Sequence, residues 1–206
     1  MSSALRIYRD DGLLSDWIGA TAGRFLRLGE VPLTLLGAAV LGIALATAGR
    51  PLPVPLLAGA VAIVVVLVGA GSHRAHAGRF AWIIPPLLRV LEYAFLIRLT
   101  VLADPEAMPL CFALLSALAF HHYDTVYRLR QQGVAPPAWT RAIGGGWEGR
   151  LVVGALLAAL GVLAPGMLVA AVILGAVYVT ESVLSWMRFA RVTRPAVIDD
   201  EEAEDE

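Results

Sequence analysis

Six apolar stretches, at residues 31–48, 56–70, 81–102, 108–122, 151–163 and 167–187, take up most of this chain. A helix of about 20 apolar residues crosses the ~30 Å hydrocarbon core of a bilayer, so each stretch is long enough or nearly so. The second and fifth are short and must borrow a turn from their flanks. A mean hydropathy of +0.73 with 58% apolar residues is far above a water-soluble domain, so apolar side chains must face lipid as well as a core. The expected fold is an all-α polytopic membrane protein, a six-helix transmembrane bundle.

The arginines orient it. All sixteen basic residues are Arg, and thirteen fall on one side of the six stretches. Arg6, Arg9, Arg24 and Arg27 precede the first; Arg74 and Arg79 lie between the second and third. Arg128, Arg130, Arg141 and Arg150 lie between the fourth and fifth, and Arg188, Arg191 and Arg194 follow the sixth. The opposite loops hold only Arg50 with Asp104 and Glu106, and Arg89 and Arg98 fall within the third stretch. Positive charge stays cytoplasmic, so both termini are expected in the cytoplasm and the protein in the inner membrane, multi-pass. Trp17, Trp82, Trp139, Trp147 and Trp186 all fall near that same boundary, as an interfacial belt does. The opening residues are charged and lack a short apolar core, so no cleavable signal is expected. Cys111, the lone cysteine, offers neither a disulfide framework nor a thiolate metal site.

Three regions follow. Residues 1–30 form a cytoplasmic N-terminus. Within it, residues 13–29 read as an amphipathic interfacial helix with Leu14, Trp17, Ile18, Phe25 and Leu28 near one face. Residues 31–187 carry the six spans. Residues 188–206 form a cytoplasmic tail, acidic at its end. The seven acids of residues 199–206 mask a body of sixteen Arg against ten acids, whose basic face suits anionic headgroups or phosphorylated ligands and not nucleic acid. Pro85-Pro86 either kinks the third helix or simply starts it. The fourth helix should continue past the membrane, because no breaker occurs before Gly133.

Several local patterns carry a family resemblance. These are Asp11-Gly12-Leu13 before an amphipathic helix, Val31-Pro32-Leu33-Thr34-Leu35-Leu36-Gly37, and Gly78-Arg79-Phe80-Ala81-Trp82 through Arg89 to Glu92-Tyr93. Arg128-Leu129-Arg130-Gln131-Gln132-Gly133 and Glu148-Gly149-Arg150-Leu151 complete the series. Taken in order over residues 8–187, they resemble the CDP-alcohol phosphotransferase superfamily, six-span enzymes of phospholipid headgroup transfer. His121-His122-Tyr123-Asp124 and Gly146-Trp147-Glu148-Gly149-Arg150 also resemble an actinobacterial membrane domain sometimes fused behind such enzymes. The resemblance implies a homodimer. It departs at the chemistry. The superfamily's four Asp across helices two and three hold divalent metal against a diphosphate, and hard cations need such oxygen ligands. Between Leu56 and Glu92 this chain has no Asp at all. No catalytic residue carries over.

Polar clusters remain. His73, His76, His121 and Asp124 would make an N/O site for a divalent metal if helices two and four packed together, and otherwise are boundary residues satisfying backbone or headgroups. A divalent metal is the one cofactor this pattern admits. Arg128, Arg130, Arg141 and Arg150 could gather on a phosphate, since guanidinium matches it bidentately; Asp124–Arg128 at i,i+4 is equally a helix-face ion pair. The residues near 73 and 128 are expected to share one inward-facing hollow, with Arg89, Glu92, Asp124, Tyr127 and Glu148 as its polar lining. Arg89 and Glu92, charged at membrane depth, are either an internal ion pair or part of that lining, and Glu181 with Arg188 invites the same reading.

Three functions compete. The first is a non-catalytic, pseudoenzyme-like relative on the phosphotransferase scaffold, binding an anionic lipid or phosphorylated ligand, or partnering an active enzyme of phospholipid synthesis. The second is a transferase with a reorganised His/Arg site acting on CDP-linked or lipid phosphates. The third is a small transporter or channel, permitted by six spans but without a duplicated half-helix pattern. Membrane lipids are partners in all three.

Overall fold

The computed structural model describes residues 2–26, 28–74 and 79–193, and these are all-α with no strand among them. Arg27, His76, Gly78, Arg194 and the acidic residues 199–206 lie outside the described residues. Nine α-helices follow one another among the described residues: α1 Ser2–Arg9, α2 Leu13–Thr21, α3 Glu30–Thr47, α4 Val54–Gly69, α5 Ile84–Ala103, α6 Met108–Gln131, α7 Ala138–Gly144, α8 Gly146–Ala159 and α9 Leu163–Thr193. Proline opens several of them. Pro55, Pro85, Pro86 and Pro109 all lie in first turns, where a missing N–H costs no helical hydrogen bond. Pro85-Pro86 therefore starts α5 and does not kink it. α6 runs without a break to Gln131, and Gly133 at φ +67° follows it.

The long helices alternate in direction. At one end Arg98 donates to the carbonyls of Leu45 (3.2 Å) and Ala48 (2.9 Å), and Arg50 to that of Val101, which ties the ends of α3 and α5 together. The remaining buried charges collect at the other end. α3 pairs with α4 and α6 with α9, while α5 and α8 pack in the middle of the bundle. Leu33, Leu41, Val64, Val68, Leu88, Phe95, Leu99, Leu118 and Leu151 fill the core between them. Gly154 makes the α5–α8 contact close, because a methyl group there would meet Phe95, Leu96 and Leu99 at 3.3–3.5 Å.

Two helices, Glu30–Thr47 and Leu163–Arg191, are long and apolar enough to cross a membrane. The other expected spans differ for concrete reasons. α4 has 16 residues and α8 has 14; α5 carries Arg89, Glu92 and Arg98; the second half of α6 is polar. The outward faces of all six are nevertheless apolar, through exposed residues such as Ile43, Ile63, Ile97, Phe112, Leu156 and Val172.

The N-terminal region departs from expectation. α1 was not anticipated, and the interfacial segment is helical only to Thr21, followed by a 3₁₀ turn at Ala22–Arg24. Leu14, Trp17, Phe25 and Leu28 face outward as expected, with Trp17 67% exposed. Ile18 does not join them. It turns inward with Ser15 and Gly19 onto the end of α4, where Gly69 and Ser72 leave room, and Ser72 Oγ donates to the Ser15 carbonyl at 2.8 Å.

Candidate functional site at the charged end of the bundle

The linker between α1 and α2 is the centre of this end. Arg9 is fully buried. It donates through Nε to Asp11 (2.7 Å), through Nη1 to Glu30 (2.5 Å) and through Nη2 to the Val68 carbonyl (3.1 Å). Asp11 also accepts the Trp147 indole N–H at 2.9 Å. Asp10, at φ +54°, turns the other way. Its carboxylate meets Arg150 Nη2 at 2.7 Å, His122 Nε2 at 3.4 Å and Arg89 Nη1 at 3.7 Å. Burial alone would raise the Asp10 pKa, but Arg150, the His122 hydrogen bond and Arg89 outweigh it and hold the carboxyl well below the usual range.

Below Asp10 lies Glu92, fully buried on α5. It accepts from Arg89 Nη1 at 2.6 Å and from Arg150 Nε, while Arg89 Nη2 donates to the Arg9 carbonyl at 2.6 Å. Tyr93 OH and His122 Nδ1 are 2.9 Å apart. Arg150 Nη1 donates to the Gly144 carbonyl at 3.1 Å. Two carboxylates thus face two guanidiniums, and the ions lose water without losing partners, which buried charge requires.

Glycine makes the linker fit. Gly12 lies so close to the α7–α8 turn that a methyl group would come 2.3 Å from the Gly145 carbonyl, and one on Gly146 (φ +64°) would come 2.2 Å from Gly12 N. α2 has Gly12 at its N-cap and no side-chain cap of its own. Glu148, buried in the first turn of α8, supplies the acceptor instead, taking the Ser15 N–H at 3.0 Å. It caps a neighbouring helix as a side chain at the N-cap normally would.

The expected sites are rearranged. Arg128 is 1% exposed and bonds Glu181 at 2.9 and 2.5 Å, with Asp124 Oδ2 2.9 Å from its Nε. Asp124 also accepts from Ser182 (2.7 Å) and Trp186 (3.3 Å). Arg128 and Arg150 are therefore committed to carboxylates and do not converge on a phosphate with Arg130 and Arg141. Glu181 pairs with Arg128 and not Arg188. Tyr127 faces outward, stacked near Tyr123 and Trp186, and Glu148 caps α2; neither lines a hollow.

The metal quartet is not assembled. α4 packs on α2, α3 and α8, whereas α6 packs on α9 and α5, so helices two and four of the six do not bring their ends together. His73 is exposed with Nε2 3.7 Å from Asp16, His121 stacks on Tyr178 with ring centroids 4.0 Å apart, and Asp124 holds Arg128. No group of three or more His, Cys, Asp or Glu among the described residues could hold a metal ion. Among the described residues a divalent metal thus finds no fitting ligands: the carboxylates at this end bind arginine. For the same reason, residues 73 and 128 share no hollow.

A different hollow is present. A cavity of about 520 Å³ opens between α1, the start of α5, the end of α6 and α7. Leu5, Ile7, Tyr8, Trp82, Pro85 and Pro86 form an apolar wall, and Asp10, Arg89, His121 and His122 its polar floor. Arg130 and Arg141 line it too, and neither has a hydrogen bond or ion pair among the described residues.

A protein family described as a family of unknown function (DUF5941) matches residues 1–204. The chain belongs to that family. No curated protein and no solved structure matches it. The DUF5941 match spans the linker, the glycine turn and both cavity arginines alike.

Residues central to this end that sequence reasoning passed over are Arg9, Asp10, Glu30 and Trp147. The available signal was the pair Asp10-Asp11, two acids set among an excess of arginine on that side. Trp147 was placed in an interfacial belt; its indole is buried on Asp11 instead.

Proposed function

We propose that this DUF5941 protein is a six-span membrane bundle that holds an anionic, phosphorylated ligand at its cytoplasmic boundary without catalysing its conversion. The observation that carries this reading is the pair Arg130 and Arg141. Every buried guanidinium nearby is matched to carboxylates, while these two face a ligand-sized cavity with no described carboxylate against them. Guanidinium groups are the side chains best suited to grip phosphate oxygens.

Membrane embedding is supported by apolar residues on both the inner and outer faces of the long helices, with charge gathered at the two ends. Trp17, Trp82 and Trp139 are exposed at the arginine-rich end, where a bilayer interface would place them. The non-catalytic reading rests on chemistry: phosphoryl transfer on the resembling scaffold needs metal-binding carboxylates, and those here are engaged by Arg9, Arg89, Arg128 and Arg150. Under the same resemblance the partner is a second copy or a membrane enzyme of phospholipid synthesis.

The test is the double variant R130Q/R141Q, purified in nanodiscs. Neither side chain holds a hydrogen bond or ion pair among the described residues, so thermal stability should stay near the parent while affinity for anionic ligands falls by at least about tenfold, or ~1.4 kcal/mol. Unaltered affinity would refute the reading.

A further inference from the structure

We infer that the cavity selects a dianionic phosphate monoester over a monoanionic diester, with His121 as the residue that reads the group carrying the phosphate. This rests on the cavity binding an anionic ligand, as proposed above, and adds which kind.

The charge balance sets the ligand's charge. At the floor and directly behind it, Asp10 and Glu92 face Arg89 and Arg150, two against two. Arg130 and Arg141 then leave two positive charges unmatched by any described residue. A phosphate monoester carries about −1.5 to −2 near pH 7 and meets both, whereas a diester carries one negative charge and leaves a guanidinium uncompensated. Like-with-unlike balance of this kind decides specificity more than raw affinity.

His121 adds a hydrogen-bonding group to the cavity. The residue is 6% exposed and lines the cavity, and neither ring nitrogen has a hydrogen bond among the described residues. One face of its ring is occupied by Tyr178, so the edge is what remains to bond. Neither nitrogen is sealed inside the protein, so the ring edge is accessible to a molecule in the cavity. A neutral imidazole offers one donor and one acceptor, the complement of a hydroxyl or ester oxygen. His121 and Arg130 are nine residues apart on α6, about 13 Å along the axis. The ligand is accordingly extended: phosphate at the arginine rim, a hydrogen-bonding body reaching inward along the apolar wall of Tyr8, Trp82 and Pro86.

That chemistry could come from a lipid phosphate or from a soluble phosphate ester. The experiment separates them. The full chain in neutral-lipid nanodiscs is titrated with glycerol phosphate, and, separately, nanodiscs containing phosphatidic acid are compared with nanodiscs containing phosphatidylglycerol, reading ligand-induced thermal stabilisation. The expectation is that one monoester binds at least tenfold more tightly than phosphatidylglycerol. Glycerol phosphate doing so identifies a soluble ligand, and phosphatidic acid a lipid. The preference should vanish in R130Q/R141Q. H121F keeps the ring stacked on Tyr178 and should weaken the monoester about tenfold while leaving the diester unchanged. Equal affinity for monoester and diester overturns this inference and leaves the anionic-ligand reading standing. No binding of any anion overturns both, and an unchanged monoester affinity in H121F removes His121 from the site.

Discussion

At Asp10, one nearly buried carboxylate faces Arg150, Arg89 and His122. Removing one partner of such a buried network typically costs about 3–5 kcal/mol, because the opposite charge stays buried. D10N should therefore be destabilised by about 3 kcal/mol at neutral pH. The pH dependence has a definite sign. Asp10 is held well below its ordinary value in the folded protein, so its stabilisation is complete above the unfolded carboxyl pKa and is lost as pH falls from there toward the folded value. The gap in melting temperature between parent and D10N should thus be constant from pH 7 down to about 5 and narrow below pH ~4. Melting curves across that range check it; a gap unchanged at pH 3 would contradict the assignment. Glu181 shows how a residue's partner is hidden in one dimension. Arg188 is seven residues away in sequence, but the α6–α9 packing presents Arg128 instead.

Among the elements, α2 is held by what α4 and α8 offer it and not by its own residues. It lacks a side-chain cap, and Glu148 and Ser72 supply the bonds that fix it. The glycine turn before α8 allows the approach. A methyl at Gly146 would need a left-handed backbone, at about 1–2 kcal/mol, and would also strike Gly12 N. G146A should lower stability by at least about 2 kcal/mol and release α2, seen as faster amide exchange over residues 13–21. G149A, three residues on, is the control: a methyl there meets nothing within 4 Å, and it should be neutral or slightly stabilising. The helix content of this part was readable from the spacing of Leu14, Trp17 and Ile18. Its inward turn at Ile18 was not, because the burying surface comes from residues more than 50 positions away.

For the whole molecule, six alternating helices place residues 48–53, 104–107 and 160–162 at one end and the arginine-rich segments at the other. In a C111S background, single cysteines at positions 24 and 106 should react with a membrane-impermeant maleimide from opposite sides of the membrane. Labelling of both from one side of sealed vesicles would exclude the six-span orientation. The helix partners decide what lies between. Since α4 sides with α3 and α6 with α9, the histidines at their ends are separated, and the cavity forms over α1, α5, α6 and α7.

The six apolar helices, their approximate bounds and the segregation of arginine follow from the chain alone, because hydropathy and helical length are local properties of consecutive residues. The ion pair of Arg89 with Glu92 and that of Asp124 with Arg128 follow as well, being one turn apart on a helix. Which arginines remain without a carboxylate is a different matter. Arg128 and Arg130 look alike in sequence, yet one is buried against Glu181 and the other lines a cavity. Only the packing of distant helices sets that difference, since a charge is matched or unmatched according to what the fold brings within a few ångströms of it.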